Sequence, residues 1–271
     1  MKQFFKSNDQ SCYSYKISFL FILFFLFAGV CMAQNSGGEI KREKDSEVTL
    51  QRQKESSSIY LTDYSKARVG DYFYSDGSFS HQKGAKKCIG VVFSLKTTNE
   101  EKKHGWTHGQ VWGVKKGWKY PGCGYWGPNN PYLSMRVKSI NDGRNDKDGY
   151  KHTNSVNDPG DHMFNRVRAY TPQPPTGKTS GWYVPSLGQW IEYFEGLGQT
   201  KVNDSGEFDA NKVYRNLKKF GLSYCWLWIA NESADNKAWG VHIASDGGGY
   251  FYDTEKKGID MGYECEMCFS F

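Results

Sequence analysis

Cys265-Glu266-Met267-Cys268 has the spacing of a dithiol redox or metal pair, and two neighbouring sulfurs are the groups in this chain from which oxidative chemistry could most readily be built. The pair lies in the aromatic run from Tyr263 to Phe271, which reads as one terminal strand. Residues three apart on a strand face opposite ways, so the two sulfurs diverge. Buried structural cysteines are the expectation, with a disulfide to Cys88 or Cys225 as the next reading. His104 and His108 are four apart, as zinc ligands on a helix would be, but Gly105 and Gly109 argue against that helix. Asn145-Asp-Lys-Asp-Gly149 clusters oxygens of the kind calcium takes. The first position of the usual loop would fall on Arg144 and the twelfth on Ser155, so the segment reads as a solvated turn. No nucleophile motif, phosphate loop or carboxylate pair stands out, and neither catalysis, metal nor cofactor is expected.

Binding has a firmer basis. The segment from Gly117 to Tyr132 (GWKYPGCGYWGPNNPY) is rich in glycine, proline and aromatic residues and leaves little room for regular structure. It reads as a long ordered loop. Flat rings such as Trp118, Tyr120, Tyr125 and Trp126 can stack on the apolar face of a sugar, while Asn129 and Asn130 can bond its hydroxyls. Trp and Tyr also anchor protein interfaces. The competing role for each of these rings is to fill the core.

The elements that must hold such a loop are mostly strands. Val69 to Tyr74 and Ser78 to Ser80 flank an Asp76-Gly77 turn and read as a hairpin. Cys88-Ile-Gly-Val-Val-Phe93 is a continuous β-branched run, expected as a buried central strand, and His108 to Val114 as another. A helix is expected within 134–140 and an acidic turn over 141–149. The best helix follows Ser186, a good cap, with Leu187, Trp190, Ile191 and Phe194 on one face; that stripe is core. A weaker amphipathic helix is expected near 212–220. Strands return at 223–229, 238–244, 250–252 and in the terminal run. Trp182, Trp190, Trp226 and Trp239 lie within or beside these elements and read as core.

The N-terminus points outside the cytoplasm. Lys2, Lys6 and Lys16 precede a nearly unbroken apolar run, Ile17 to Val30, and Cys31-Met32-Ala33 offers small residues for a signal-peptidase cut before Gln34. The run is shorter than the roughly 20 apolar residues that cross a bilayer. A retained anchor and lipidation at Cys31, which would supply a membrane tether, are the alternatives. Residues 34–58 are polar with balanced charges and read as a disordered tether. Residues 59–271 are then one domain. The formal net charge of +6 is spread with both signs interspersed, which excludes a nucleic-acid-binding stripe. Aromatic residues make up 16% of the chain, and with abundant glycine and little helical periodicity this favours many short strands.

Several motifs taken in order carry a family resemblance: Val69-Gly-Asp-Tyr with Ser75-Asp-Gly-Ser78, Cys88-Ile-Gly-Val-Val92, His108-Gly-Gln-Val111, Asp148-Gly-Tyr with Thr153, Gly181-Trp-Tyr-Val-Pro-Ser186 with Gln189-Trp190, Tyr224-Cys-Trp226 with Asn231-Glu232, and Ala238-Trp-Gly-Val241. Over residues 60 to 271 the chain resembles the Lcl C-terminal domain family of secreted bacterial proteins, similar in fold to C-type lectins and formylglycine-generating enzymes. The resemblance implies an α+β, C-type-lectin-like fold: small, twisted, mostly antiparallel sheets, two short helices and long ordered loops. Fold does not give function. Glu-Pro-Asn, Gln-Pro-Asp and Trp-Asn-Asp, which bind calcium and sugar together in calcium-dependent lectins, do not occur in the chain. The oxidase branch of the fold uses a cysteine pair more widely spaced than Cys265 and Cys268. The reading reached is a secreted or surface-tethered, non-catalytic binding or adhesion domain with a glycan or surface-protein ligand. A formylglycine-generating-type oxidase or a structural subunit of a surface assembly are the alternatives.

Overall fold

The computed structural model describes residues 59–114, 125–127, 131–160, 162–171, 173–256 and 263–271, all within one unit spanning Thr49–Phe271. The expected leader (1–33) and tether (34–58) lie outside the described residues. Strands β1 (Tyr72–Tyr74) and β2 (Phe79–Ser80) form the expected hairpin. Gly77 takes φ +83 at its turn, a conformation that costs glycine little, and the Ser78 N–H donates to Asp76 Oδ1 at 3.0 Å. Strands β3 (Cys88–Ser94) and β4 (Gln110–Gly113) follow as expected. With β10 (Cys268–Ser270) they complete an antiparallel sheet in the order β10-β4-β3-β1-β2.

A second sheet takes β5 (Glu207–Asp209), β6 (Cys225–Ala234), β7 (Lys237–Ile243), β8 (Gly248–Glu255) and β9 (Glu264–Cys265) in the order β5-β8-β7-β6-β9. It is antiparallel except for the β6/β9 pair. The fold is α+β, with two antiparallel-rich sheets and short helices. The two expected helices are α5 (Leu187–Gly196) and α6 (Ala210–Leu217). Four shorter ones accompany them: α1 (Asn99–Lys103), α2 (Ile140–Gly143), α3 (Gly149–Ser155) and α4 (Met163–Arg168).

Both faces of the first sheet are buried, which is why β3 reads as an unbroken apolar run rather than an alternating one. Cys88, Val91 and Phe93 pack toward one core while Ile89 and Val92 pack toward another. The switch of face between Ile89 and Val91 coincides with a register irregularity where β1 meets β3, since one extra residue reverses the direction of every later side chain. The first core joins β3, β4 and α5 to the inner side chains of the second sheet. At its centre Trp112 stacks on Tyr193 at 4.0 Å and meets Trp190 edge-on at 4.6 Å. Each such pair adds about 0.5–1.5 kcal/mol beyond the area it buries. All four residues of the predicted α5 stripe lie in this core.

Four expectations need correction. The terminal run is not one strand. Cys265 pairs with Trp228 in the second sheet and Cys268 with Trp112 in the first, so the chain crosses between sheets within the Cys-x-x-Cys segment. Trp226 is only partly core: it alternates with Cys225 and Leu227 and stands half-buried on the opposite face of β6, packed against the second core. The turn expected over 141–149 is partly helical, because Ser139 caps α2 by accepting from the Asp142 N–H at 3.2 Å, and α3 begins at Gly149. The helix expected within 134–140 is a single 3-10 turn, Leu133–Met135.

The cysteines can be counted chemically. Cys265 is disulfide-bonded, whereas Cys88, Cys225 and Cys268 are thiols. Neither Cys88 nor Cys225, each considered above as a disulfide partner, is bridged. Alkylation in denaturant without reductant should label Cys88, Cys225 and Cys268 and spare Cys265. Peptide mass mapping checks this, and a labelled Cys265 would refute the assignment.

Candidate functional site

Helices α1, α3 and α5 meet around a cleft of about 530 Å³. Its wall from the first sheet begins at Ser94, the last residue of β3, and continues through Lys96, Thr97 and Thr98 into α1. Thr98 is the cap of that helix: it accepts from the Glu101 N–H at 3.2 Å while Glu101 reaches back to the Thr98 N–H at 2.7 Å. This reciprocal cap holds Asn99, Glu100 and Lys103 on the cleft. The opposite wall is the loop before α3 with Asn145, Lys147 and Asp148, then Lys151 in α3 and Glu192 in α5. Gly149 lets this loop lie close to α5, because a Cβ there would meet Gln189 Oε1 at 2.4 Å and Val184 O at 2.6 Å.

The charges in the cleft are mostly paired. Glu192 takes Lys147 Nζ at 2.9 Å and the Ser94 hydroxyl at 2.7 Å. Burial alone would raise the Glu192 carboxyl, but the Lys147 charge and these hydrogen bonds outweigh it and hold it below its ordinary value. Burial draws the Lys147 ammonium down from the ordinary lysine value against the pull of Glu192. Glu100 takes Lys103 at 2.8 Å, and that bond first, then the Lys103 charge against slight desolvation, lowers its carboxyl. A glycosidase needs one carboxyl held protonated to act as acid. Glu100 and Glu192 are both held ionised, which suits them to accepting hydrogen bonds from a ligand. Three rings outside the cleft lining join the end of α1 to α3: His104 stacks on Trp106 at 4.9 Å, and Tyr150 meets Trp106 edge-on at 4.9 Å.

Beneath the cleft lies a buried polar network that none of the expectations foresaw. Glu101, fully enclosed, accepts from Gln110 Nε2 at 3.0 Å on both oxygens, from Tyr183 OH at 3.3 Å and from the Ser270 hydroxyl. Gln189 Nε2 donates to Gln110 Oε1 at 3.0 Å and to Tyr183 OH at 3.1 Å, while Gln189 Oε1 accepts the Ser186 N–H at 2.9 Å. The Ser186 hydroxyl donates to Asp146 O at 2.6 Å. The Asp146 carboxylate is met by Asn231 Nδ2 at 2.6 Å and by His152 Nε2 at 2.8 Å, and Asn231 Oδ1 accepts the Leu187 N–H at 2.7 Å. Thr153 Oγ1 accepts the Val184 N–H at 2.9 Å. Gln110, Thr153, Tyr183, Ser186, Gln189 and Asn231 all belong to the motifs quoted above for the family resemblance. In this chain they hold α5 and its neighbours in place, and of the six only Gln110 also lines the cleft.

Asp146 makes the network acid-sensitive. Burial alone would raise its carboxyl, but the hydrogen bond and charge of His152, with bonds from Asp148 and Asn231, bring it below the ordinary aspartate value. A carboxyl lowered in the folded state contributes stability above its unfolded pKa, and that contribution fades as pH falls through the folded one. The wild-type urea midpoint should therefore drop more steeply than that of Asp146→Asn as pH is lowered from neutrality to below about 4, the unfolded aspartate pKa. Parallel curves for the two proteins would dismiss this role.

The rings and amides expected to bind a ligand fare differently. Trp118, Tyr120, Asn129 and Asn130 lie outside the described residues. Tyr125 is exposed. Trp126 is fully enclosed: its Nε1–H donates to Ile229 O at 2.6 Å, Phe164 meets it edge-on at 5.0 Å, and Lys256 Nζ lies 4.9 Å over the ring. It is a core ring closed to any ligand, held there because its polar tip finds a buried backbone acceptor. His108 stands apart from His104, in ring contact with Tyr64 and Phe271. Among the described residues no group of three or more His, Cys, Asp or Glu could hold a metal, and no helix is long and apolar enough to cross a membrane.

A second aromatic surface covers the face of the second sheet on which Trp226 stands. Trp226 and its cross-strand neighbour His242 stack at 3.6 Å, and Tyr250, Tyr252 and Tyr263 meet Trp226 edge-on. The rings are turned on edge and cover one another.

No family model matches the chain, and no curated protein matches it. Among solved structures it is similar to a fimbrial protein from Bacteroides ovatus ATCC 8483, at 18% identity and a TM-score of 0.48, over 76% of this chain and 49% of that one. The chain thus spans about half the length of that protein.

Proposed function

We propose that residues 59–271 are a non-catalytic binding domain of the cell exterior, serving adhesion or surface assembly, and that the cleft between α1, α3 and α5 takes a glycan. The observation that carries this reading is the make-up of the cleft. Carboxylates held ionised, ammonium groups, hydroxyls and the Asn99, Gln110 and Asn145 amides alternate around about 530 Å³, and the rings of Trp106 and Tyr150, outside its lining, belong to the segments that carry Lys103 and Lys151. Sugars present that same alternation of donors and acceptors with apolar ring faces between them. The leader-like N-terminus supports placement outside the cytoplasm, and the C-type-lectin-like resemblance supports binding.

The oxidase alternative loses its basis. Cys265 is already bridged, and Cys268 is fully buried in the other sheet, where burial pushes its thiol well above the ordinary cysteine value.

Binding of the exported chain to an array of host and bacterial glycans, beside an Asn145→Ala/Lys151→Ala variant of unchanged melting temperature, tests the proposal. Loss of at least about 10-fold in affinity, the yield of one or two good polar contacts, is expected. Glycan binding unchanged in the variant would move the site to the 117–132 loop, with Trp118, Tyr120, Tyr125, Asn129 and Asn130. An array with no hits would end the glycan reading.

A further inference from the structure

A second cavity, of about 240 Å³, opens where β3 begins and β4 ends, against the 3-10 turn Lys218–Phe220. Four of its eight lining side chains are lysines, Lys83, Lys86, Lys87 and Lys219, and none is a carboxylate. Asp76 takes Lys86 Nζ at 2.6 Å. Its apolar lining includes Tyr72 and Phe220, whose rings lie 5.9 Å apart, and the Cys88 thiol.

The cavity also has a defined position relative to the chain. The Lys86 N–H donates to Tyr60 OH at 3.1 Å and Lys86 Nζ lies 4.1 Å over the Tyr60 ring. Tyr60 follows the exposed Ile59, where residues 34–58 join the domain. The tether of residues 34–58 therefore joins the domain beside this lysine-lined end.

We propose that the cavity docks the domain onto a membrane surface rich in phosphate headgroups, with the lysine ammonium groups taking the phosphates. Charge complementarity and the point of chain entry both select this occupant. Lysines near an anionic bilayer add attraction one by one, and this attraction falls off within a Debye length of about 8 Å at physiological salt. The cavity does not overlap the glycan cleft, so the two sites can fail separately.

The test uses residues 34–271, which contain both hydrophobic cores entire. Sedimentation with vesicles of mixed phosphatidylglycerol and phosphatidylcholine is compared with phosphatidylcholine alone. Salt-sensitive binding to the anionic vesicles only is expected, falling on the order of 100-fold in Lys83→Gln/Lys87→Gln/Lys219→Gln. In the unaltered protein the same vesicles should slow alkylation of Cys88 and leave Cys225 unaffected, a readout that needs no variant to fold. Equal binding to neutral vesicles, no binding at all, binding untouched by the triple substitution, or Cys88 left unprotected would each overturn the proposal. So would displacement by dilute inorganic phosphate, or a preference for a soluble anionic polysaccharide over the vesicles.

Discussion

Glu232→Ala should cost about 3–5 kcal/mol of unfolding free energy, because it removes one partner of a buried ion pair and leaves the other in a medium that solvates charge poorly. Glu232 is fully enclosed and Lys256 is 1% exposed. The Glu232 carboxylate takes Lys256 Nζ, accepts the Tyr132 N–H on both oxygens at 2.9 Å, and lies 3.7 Å from the Arg136 guanidinium. Lys256 in turn lies over Trp126, so one carboxylate joins β6, the end of β8 and the 131–137 segment. Glu232→Gln keeps the shape and an acceptor oxygen, and should cost clearly less. Urea denaturation of the three proteins checks both expectations, and a loss below about 1 kcal/mol for the alanine variant would place the pair among the weak surface bridges instead.

Gln189→Leu should rank next, at about 3 kcal/mol. Leucine matches the size of glutamine, so little cavity forms and the loss is polar. The Ser186 N–H and Gln110 Oε1 lose their partner and Tyr183 OH loses one of its bonds, all of them buried. A buried group left unsatisfied costs about 1–3 kcal/mol. A double cycle with Gln110→Leu separates the network from simple packing: the combined loss should fall short of the sum, since the second change removes an acceptor already orphaned by the first. Strict additivity would mean that the two amides do not act together.

Much of this architecture was legible because it obeys short-range rules. The hairpin at Asp76-Gly77, the apolar run of β3 and the capped stripe of α5 each declare themselves within a dozen residues. Helix α3 did not, because Gly149-Tyr-Lys-His-Thr-Asn-Ser155 has no apolar stripe; it is held through His152 and Thr153, which bond Asp146 and the Val184 N–H. The family-like motifs were legible as motifs but not as to purpose. Gln110, Gln189 and Asn231 are polar residues in strand or helix, and sequence alone does not tell a ligand-facing amide from one satisfied inside the protein. The cleft is not legible in sequence for a related reason: its residues come from four separate stretches of ordinary polar sequence. The burial of Trp126 is not legible in sequence because its partner, Ile229 O, is a backbone oxygen over a hundred residues away.

The crossing between Cys265 and Cys268 bears on the order in which the domain can be made. β9 completes the edge of one sheet and β10 that of the other, and Ser270 reaches the carboxylate of Glu101 near the opposite end of the domain. During synthesis everything up to Lys256 emerges with both sheets one strand short and the buried Glu101 carboxylate short of one of its donors, Ser270. Closure waits for seven residues, 264–270, and engages both sheets at once. A chain that stays open until its last strands arrive remains threadable for longer, at the risk of exposing unpaired strand edges meanwhile.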